Sequence, residues 1–360
     1  MKFNFRSLLK KLVLKLANLT EFSYVDEVYN SETGKVEKRW VLMIPGAGCQ
    51  WAKEHKGGCY MCGFKYQLDY LKGKRNKPSK FQMFLAYFLG SYFANVKAQK
   101  PSQLAIYNGG SFFNDNEVPI SIQNYLMKKI SKKHPSIKSV LVESRPEYID
   151  LERIKYLKSL LGENCSLVVG FGLECQSDKI REICINKGFN RGDYENAVKM
   201  LKDIGIKVLT YVFLKPILIT EREAIKEAIA TIDYAFSKGS NFVALQSAFI
   251  QEGTVMCKFY KIGKFTPPWL WSIISVVRGG YKYGPIHIGS FHDEPAPIAV
   301  PYNCPKCSDK VMKEISEYNR THNISVFDDL KCSCQEDWLA EVHNVLPPKT
   351  KVKTESKHKV

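Results

Sequence analysis

Short apolar runs and helix-spaced apolar stripes alternate along most of this chain. Glu32-Thr33-Gly34, between two polar runs, predicts a hairpin turn leading into a first barrel strand at Val41-Leu42-Met43-Ile44. The pattern then predicts an aromatic-rich helix over 81–99, ended by Lys100-Pro101, and a strand over 104–108 that stops at Gly109-Gly110. Helices follow over 120–133, 150–161, 178–187, 193–204 and 221–237, alternating with strands over 139–143, 166–170, 207–213 and 241–247. Thr220-Glu221-Arg222-Glu223 supplies a capping box for the last of these helices.

Strands that are nearly continuous in apolar residues and separated by helices argue for a parallel sheet covered on its outer face. About six strand–helix units are countable, fewer than the eight of a closed barrel, so the expected fold is α/β, an open, partial (β/α)6 barrel. In such a barrel, functional residues gather at the C-terminal ends of the strands. Four regions are expected: 1–40, an N-terminal helix and hairpin; 41–253, the barrel; 254–345, a C-terminal extension; and 346–360, a basic disordered tail. In the first, Phe5, Leu8, Leu9, Leu12, Leu16 and Leu19 recur at helical spacing opposite Lys10, Lys11 and Lys15, which reads as a basic amphipathic helix.

Composition changes this picture in three ways. No apolar run approaches the roughly 18 residues a membrane span needs, and the lysines at the N-terminus break any secretory signal, so a cytoplasmic location is expected. The net charge of +17 points to a polyanionic partner such as nucleic acid. The eleven cysteines favour metal ligands and reduced core residues over a disulfide framework. Cys165, Cys175, Cys184 and Cys257 lie scattered on predicted elements and read as small core residues.

The other seven fall in two clusters. Cys49, Cys59 and Cys62 occupy a glycine-rich loop just after the first strand. Three thiolates suit an iron–sulfur cluster with one open iron, the preferred reading; a zinc set closed by His55 is the alternative. Cys304, Cys307, Cys332 and Cys334 flank a helical segment over 309–319 and suit a structural zinc, with a second iron–sulfur cluster as the alternative. Just before them, 287–297 holds His287, His292, Asp293 and Glu294, and a structural role is expected for the two histidines.

Taken with the strand ends, the cysteine loop resembles that of the radical S-adenosylmethionine enzymes, a family of partial six-fold barrels. Cys59-Tyr60-Met61-Cys62 keeps the family's common form, whereas nine residues separate Cys49 from Cys59, more than the family's usual three. Asn108-Gly109-Gly110-Ser111 stands where the family brings backbone close to the cofactor's methionine group, with Ser111 in place of an acidic residue. Glu143 and Arg145 after strand three, and Glu174 and Gln176 after strand four, look like segments of the tRNA-modifying branch that includes the Elongator catalytic subunit. The resemblance makes these residues, and Arg181 one turn further, candidate contacts of the cofactor. Lys215 and the stretch 246–253 are placed for substrate contact.

The long first spacing, the two glutamate segments, His287-x-Gly-x-Phe-x-x-Glu-Pro-x-Pro and the Asn303-Cys304 module together resemble the radical subunits of archaeosine synthases. That resemblance implies a four-iron cluster (4Fe-4S), S-adenosylmethionine, an electron donor, and a lysine-transferring alpha subunit as partner. It also implies a reaction on tRNA: the lysine that the partner attaches to the 7-cyano-7-deazaguanine of the D-loop is split at its carbon–nitrogen bond, leaving archaeosine. Two alternatives are an Elongator-like modifier, expected to carry an acetyltransferase-like domain as well, and a non-catalytic zinc-bearing RNA-binding protein.

Overall fold

The structure is a computed structural model that describes residues 23–55, 57–64, 79–291 and 296–343. The N-terminal helix expected around Phe5 to Leu19, His292 and the basic tail lie outside the described residues. An eight-stranded sheet runs in sequence order: β1 (Ser23–Asn30), β2 (Lys35–Met43), β3 (Gln103–Tyr107), β4 (Ser139–Glu143), β5 (Ser166–Glu174), β6 (Lys207–Leu214), β7 (Phe242–Ser247) and β8 (Ile286–Ile288). β1 and β2 form an antiparallel hairpin, and every later pairing is parallel. The six expected strands are therefore β2 to β7, and the sheet gains one strand at each edge.

The hairpin turn forms as read, with Gly34 at φ 66° and its N–H on the Asn30 carbonyl. The strand after it begins earlier than its apolar stretch, at Lys35, because the polar residues 35–39 pair with β1 in full register. Its outward residues Trp40 and Leu42 are buried under the helix Lys80–Phe93, whose Tyr87 lies by Trp40 and whose Gly90 meets Leu42. A Cβ on Gly90 would sit 2.8 Å from Leu42 Cδ1, so only glycine lets this helix lie so close to the sheet.

Three helices depart from the expected spans. The stretch 81–99 is two helices, Lys80–Phe93 and Val96–Gln99, because Asn95 takes a left-handed conformation, φ 48°, that asparagine tolerates better than most residues. The expected helix 178–187 is one turn, Asp178–Ile180, that widens into a π-turn over Arg181–Ile185 and stops at Asn186, φ 59°. The segment 309–319 is helical over Ser308–Thr321.

This last helix touches both edges of the open sheet. Asn319 accepts from the Ile288 N–H at 2.8 Å and donates to the Ile288 carbonyl at 2.7 Å, while the Tyr318 hydroxyl donates to the Ile286 carbonyl. At the other edge His322, just past the helix, stacks on Tyr29 of β1 with 4.5 Å between ring centroids. Backbone groups that an edge strand would leave open are thereby satisfied, and the helix seals the seam of the partial barrel. His287, next to this seam in β8, is enclosed, and burial drops its imidazole pKa to about 3. Burial thus favours the neutral ring, and its Nδ1 has no partner among the described residues.

Candidate functional site

The cysteine loop leaves β2 at the C-terminal edge of the parallel sheet. Glycines fix its path: a Cβ on Gly46 would come within 2.5 Å of the Asn108 carbonyl, and one on Gly110 within 3.2 Å of Cys49 Cα. The loop and the strand-end glycines are thus in direct contact. Glu117 ties them together from beneath. Its carboxylate accepts from the Gln50 N–H at 2.9 Å, the Ser111 N–H at 2.5 Å and the Asn114 side-chain amide at 3.0 Å, and its carbonyl accepts from the Ala47 N–H. Nothing in the polar turn Asn114 to Glu117 shows in sequence that this glutamate is fully buried.

Cys59 and Cys62 sit on a tight turn, with the Cys62 N–H on the Cys59 carbonyl. The Tyr60 N–H is held by the Ile185 carbonyl at the end of the π-turn, and the Tyr60 carbonyl accepts from Met256 N–H. Each of the three thiols feels the charges of its neighbours. Burial pushes all three up, Cys62 to about 12, while Lys187 pulls each of them down, with Arg145 adding to it at Cys49 and Cys59. An enclosed set of thiols that resists ionisation alone, beside two cations, fits a metal centre whose positive charge holds the thiolate form.

Among the described residues, the only histidine, cysteine, aspartate or glutamate ligand atoms, three or more, lying within 4.8 Å of one another are those of Cys304, Cys307, Cys332 and Cys334. Cys49, Cys59, Cys62 and His55 therefore do not close around a single ion. His55 stacks instead on Trp51.

Around the loop stand the candidate ligand contacts. Asn108 is 1% exposed, yet among the described residues neither its amide nitrogen nor its amide oxygen has a partner. A buried polar pair left open in this way could serve a ligand. Gly109 follows at φ 63°. Ser111 joins two strand ends, its hydroxyl accepting from the Arg145 N–H at 3.1 Å. Arg145 is buried between the Trp51 and Phe189 rings, 4.9 and 5.3 Å from their centroids, and donates to the Lys187 carbonyl at 2.8 Å. Glu143 faces the barrel interior, where burial raises its carboxyl to about 7 against a hydrogen bond from Tyr211 and the pull of Lys187. Glu174, at φ 66° on a bulge of β5, pairs with Lys187 at 2.8 Å.

Three other candidates are engaged elsewhere. Arg181 is 1% exposed and spends its guanidinium on the Cys175 carbonyl at 2.6 Å, the Phe189 carbonyl at 3.0 Å and the Asp178 carboxylate. It clasps the π-turn and the loop behind it. Gln176 donates its backbone N–H to Thr231, and its side chain accepts from Arg191. Lys215, at the end of β6, has φ 66° and lies in a buried pair with Glu221 at 2.5 Å, with Thr266 Oγ1 3.4 Å away.

Trp51, Lys187 and Phe189 escaped the sequence reading. Their signal is three-dimensional: the Trp51 ring covers Gly188, where any side chain would collide with it, and its indole N–H reaches the Asn186 carbonyl 135 positions away, at 2.9 Å.

The C-terminal cysteines form a second, tighter set. Sulfur–sulfur distances are 3.6 Å for Cys304–Cys307, 3.5 Å for Cys304–Cys332 and 3.6 Å for Cys307–Cys334. Four sulfurs about 2.3 Å from one tetrahedral ion lie roughly 3.8 Å apart, so the set matches a single-ion site. The Trp271 indole N–H donates to Cys334 Sγ at 3.3 Å, as a thiolate ligand requires.

No protein-family model matches the chain. Among curated proteins it is 31% identical to archaeosine synthase subunit beta of Methanosarcina acetivorans, covering 85% of each chain. It is 25% identical to archaeosine synthase subunit beta of Thermococcus kodakarensis, over 87% of this chain and 94% of that one. An uncharacterised protein of Methanocaldococcus jannaschii is 30% identical over 89% of this chain and 87% of its own. Among solved structures, Elp3 of the archaeon Methanocaldococcus infernus superposes with a TM-score of 0.50 at 16% identity, over 68% of this chain and 62% of that one, which is a likeness of fold. The chain belongs to the archaeosine synthase subunit beta family.

Proposed function

We propose that this chain is a radical S-adenosylmethionine enzyme that converts the lysine-modified deazaguanine of the tRNA D-loop to archaeosine by cleaving the lysine carbon–nitrogen bond. The observation that carries the reading is the gathering of Cys49, Cys59 and Cys62 in one cationic enclosure at the strand ends, in a chain of this family. The three cysteines would hold a four-iron cluster. Such a cluster, with S-adenosylmethionine bound, would supply the radical chemistry needed to take hydrogen from the carbon next to the lysine side-chain nitrogen.

The protein's own part is binding, orientation and charge. Asn108 offers one donor and one acceptor to a polar ligand, and Gly109 and Gly110 let backbone approach it. Arg145 and Lys187 offset the negative charge of the thiolates, and their stack against Trp51 and Phe189 keeps water out. Glu143, with its carboxyl near 7, stands where it can hold or release a proton inside the barrel. Anaerobic incubation with S-adenosylmethionine, a reductant and lysine-modified tRNA tests the reading: 5′-deoxyadenosine and the amidine base form together, and absence of both overturns it.

The alpha subunit and an electron donor complete the proposed system, and a zinc ion is proposed for the C-terminal site. Cys307→Ser should lower the zinc content from one per chain to below about a fifth and reduce the melting temperature, because a closed four-thiolate site contributes directly to folding. Metal analysis and calorimetry check this, and a zinc-free, equally stable wild type contradicts it. The charge of +17 sets a second expectation. Affinity for tRNA should fall at least about tenfold between roughly 50 and 200 mM salt, read by filter binding, because phosphate contacts release counterions.

A further inference from the structure

The nine residues between Cys49 and Cys59 do more than link two ligands. Five of them form the short helix Gln50–Glu54, which turns Trp51 toward the site and is followed by His55. Trp51 is anchored by its indole hydrogen bond to Asn186, by the bare face of Gly188 and by the Arg145 guanidinium. One turn later the exposed His55 ring lies flat on it, 3.5 Å between centroids and 19° between planes. His55 Nδ1 is 3.3 Å from the Trp51 carbonyl, and with the proton on Nδ1 it donates there, leaving Nε2 unmatched among the described residues.

An exposed side chain ordinarily moves among rotamers, and fixing one costs free energy. Here a solvent-facing ring is held by a stack and a hydrogen bond, on a Trp that also touches Arg145 beside the thiols. Such a ring is preorganised to receive another flat group. We propose that His55, backed by Trp51, is a stacking platform for a nucleobase of the RNA substrate; this rests on the reading of the chain as a tRNA-modifying enzyme. A modified base must leave its stack to reach chemistry at the strand ends, and aromatic side chains are the usual replacement for its lost neighbours. The long cysteine spacing then has a purpose, since it is the length that builds this platform.

The test compares wild type, His55→Ala and His55→Phe for binding of lysine-modified tRNA by anaerobic fluorescence anisotropy. His55→Ala should weaken binding about tenfold, within the range of one lost base stack, and His55→Phe should restore it to within about twofold. Unchanged affinity in His55→Ala, equal weakness in both variants, or loss of a protein partner without loss of tRNA affinity overturns the proposal. Formation of 5′-deoxyadenosine by wild type without RNA is read in parallel. Its absence counts against the radical reading alone, because the binding comparison needs no turnover.

Discussion

Cys59→Ala will abolish iron-dependent colour and reduce 5′-deoxyadenosine formation below about one per cent of wild type. A cluster held by three thiolates loses one of its three protein ligands with Cys59, and Glu174, the carboxylate whose charge reaches that thiol, is already paired with Lys187. Binding of tRNA should stay within about twofold, because it depends on surface charge distributed over the chain. Cys165→Ala is the matching control. That thiol is buried in the main core, where it lies 3.8 Å from the Ser166 carbonyl. Its loss should cost about 1 kcal/mol of stability and leave activity intact. Equal loss in both variants would mean that Cys59 acts only through folding.

Glu117→Ala carries the second large effect. The carboxylate is the shared acceptor of three donors from two loops, and its removal strands buried N–H groups at about 1–3 kcal/mol each, not fully additive. Stability should fall by about 3 kcal/mol, and cluster content should fall with it, since Cys49 and the glycines of β3 lose their common anchor. Glu117→Gln should be intermediate. Its carbonyl keeps one acceptor, but its NH2 group then meets a donor. Denaturant melts and iron analysis check both variants, and a Glu117→Ala protein with wild-type stability and iron would contradict the clamp.

These two residues also show what the chain discloses in one dimension. Cys59-Tyr60-Met61-Cys62, the glycines after β3 and the alternation of strands and helices are local patterns, so they were legible in sequence. Glu117 and Trp51 were not, because their partners lie 67 and 135 positions away. The same holds for β8: three residues give no period, and its strand form depends on β7 on one side and Asn319 on the other. The π-turn at Arg181 follows from a buried guanidinium that needs backbone acceptors, which helix periodicity does not record. Arg181 shows the limit most plainly, since a strand-end arginine looks alike whether it meets a ligand or the protein's own carbonyls.

The central claim is that this chain directs a radical to the lysine carbon beside the scissile carbon–nitrogen bond. Its most direct measurement uses tRNA whose attached lysine carries deuterium at that carbon, incubated anaerobically with the reconstituted enzyme, S-adenosylmethionine and a reductant. Mass spectrometry should find the deuterium in 5′-deoxyadenosine and the amidine base in the tRNA. An amidine base formed while the 5′-deoxyadenosine stays free of deuterium, or no amidine base at all, would contradict it.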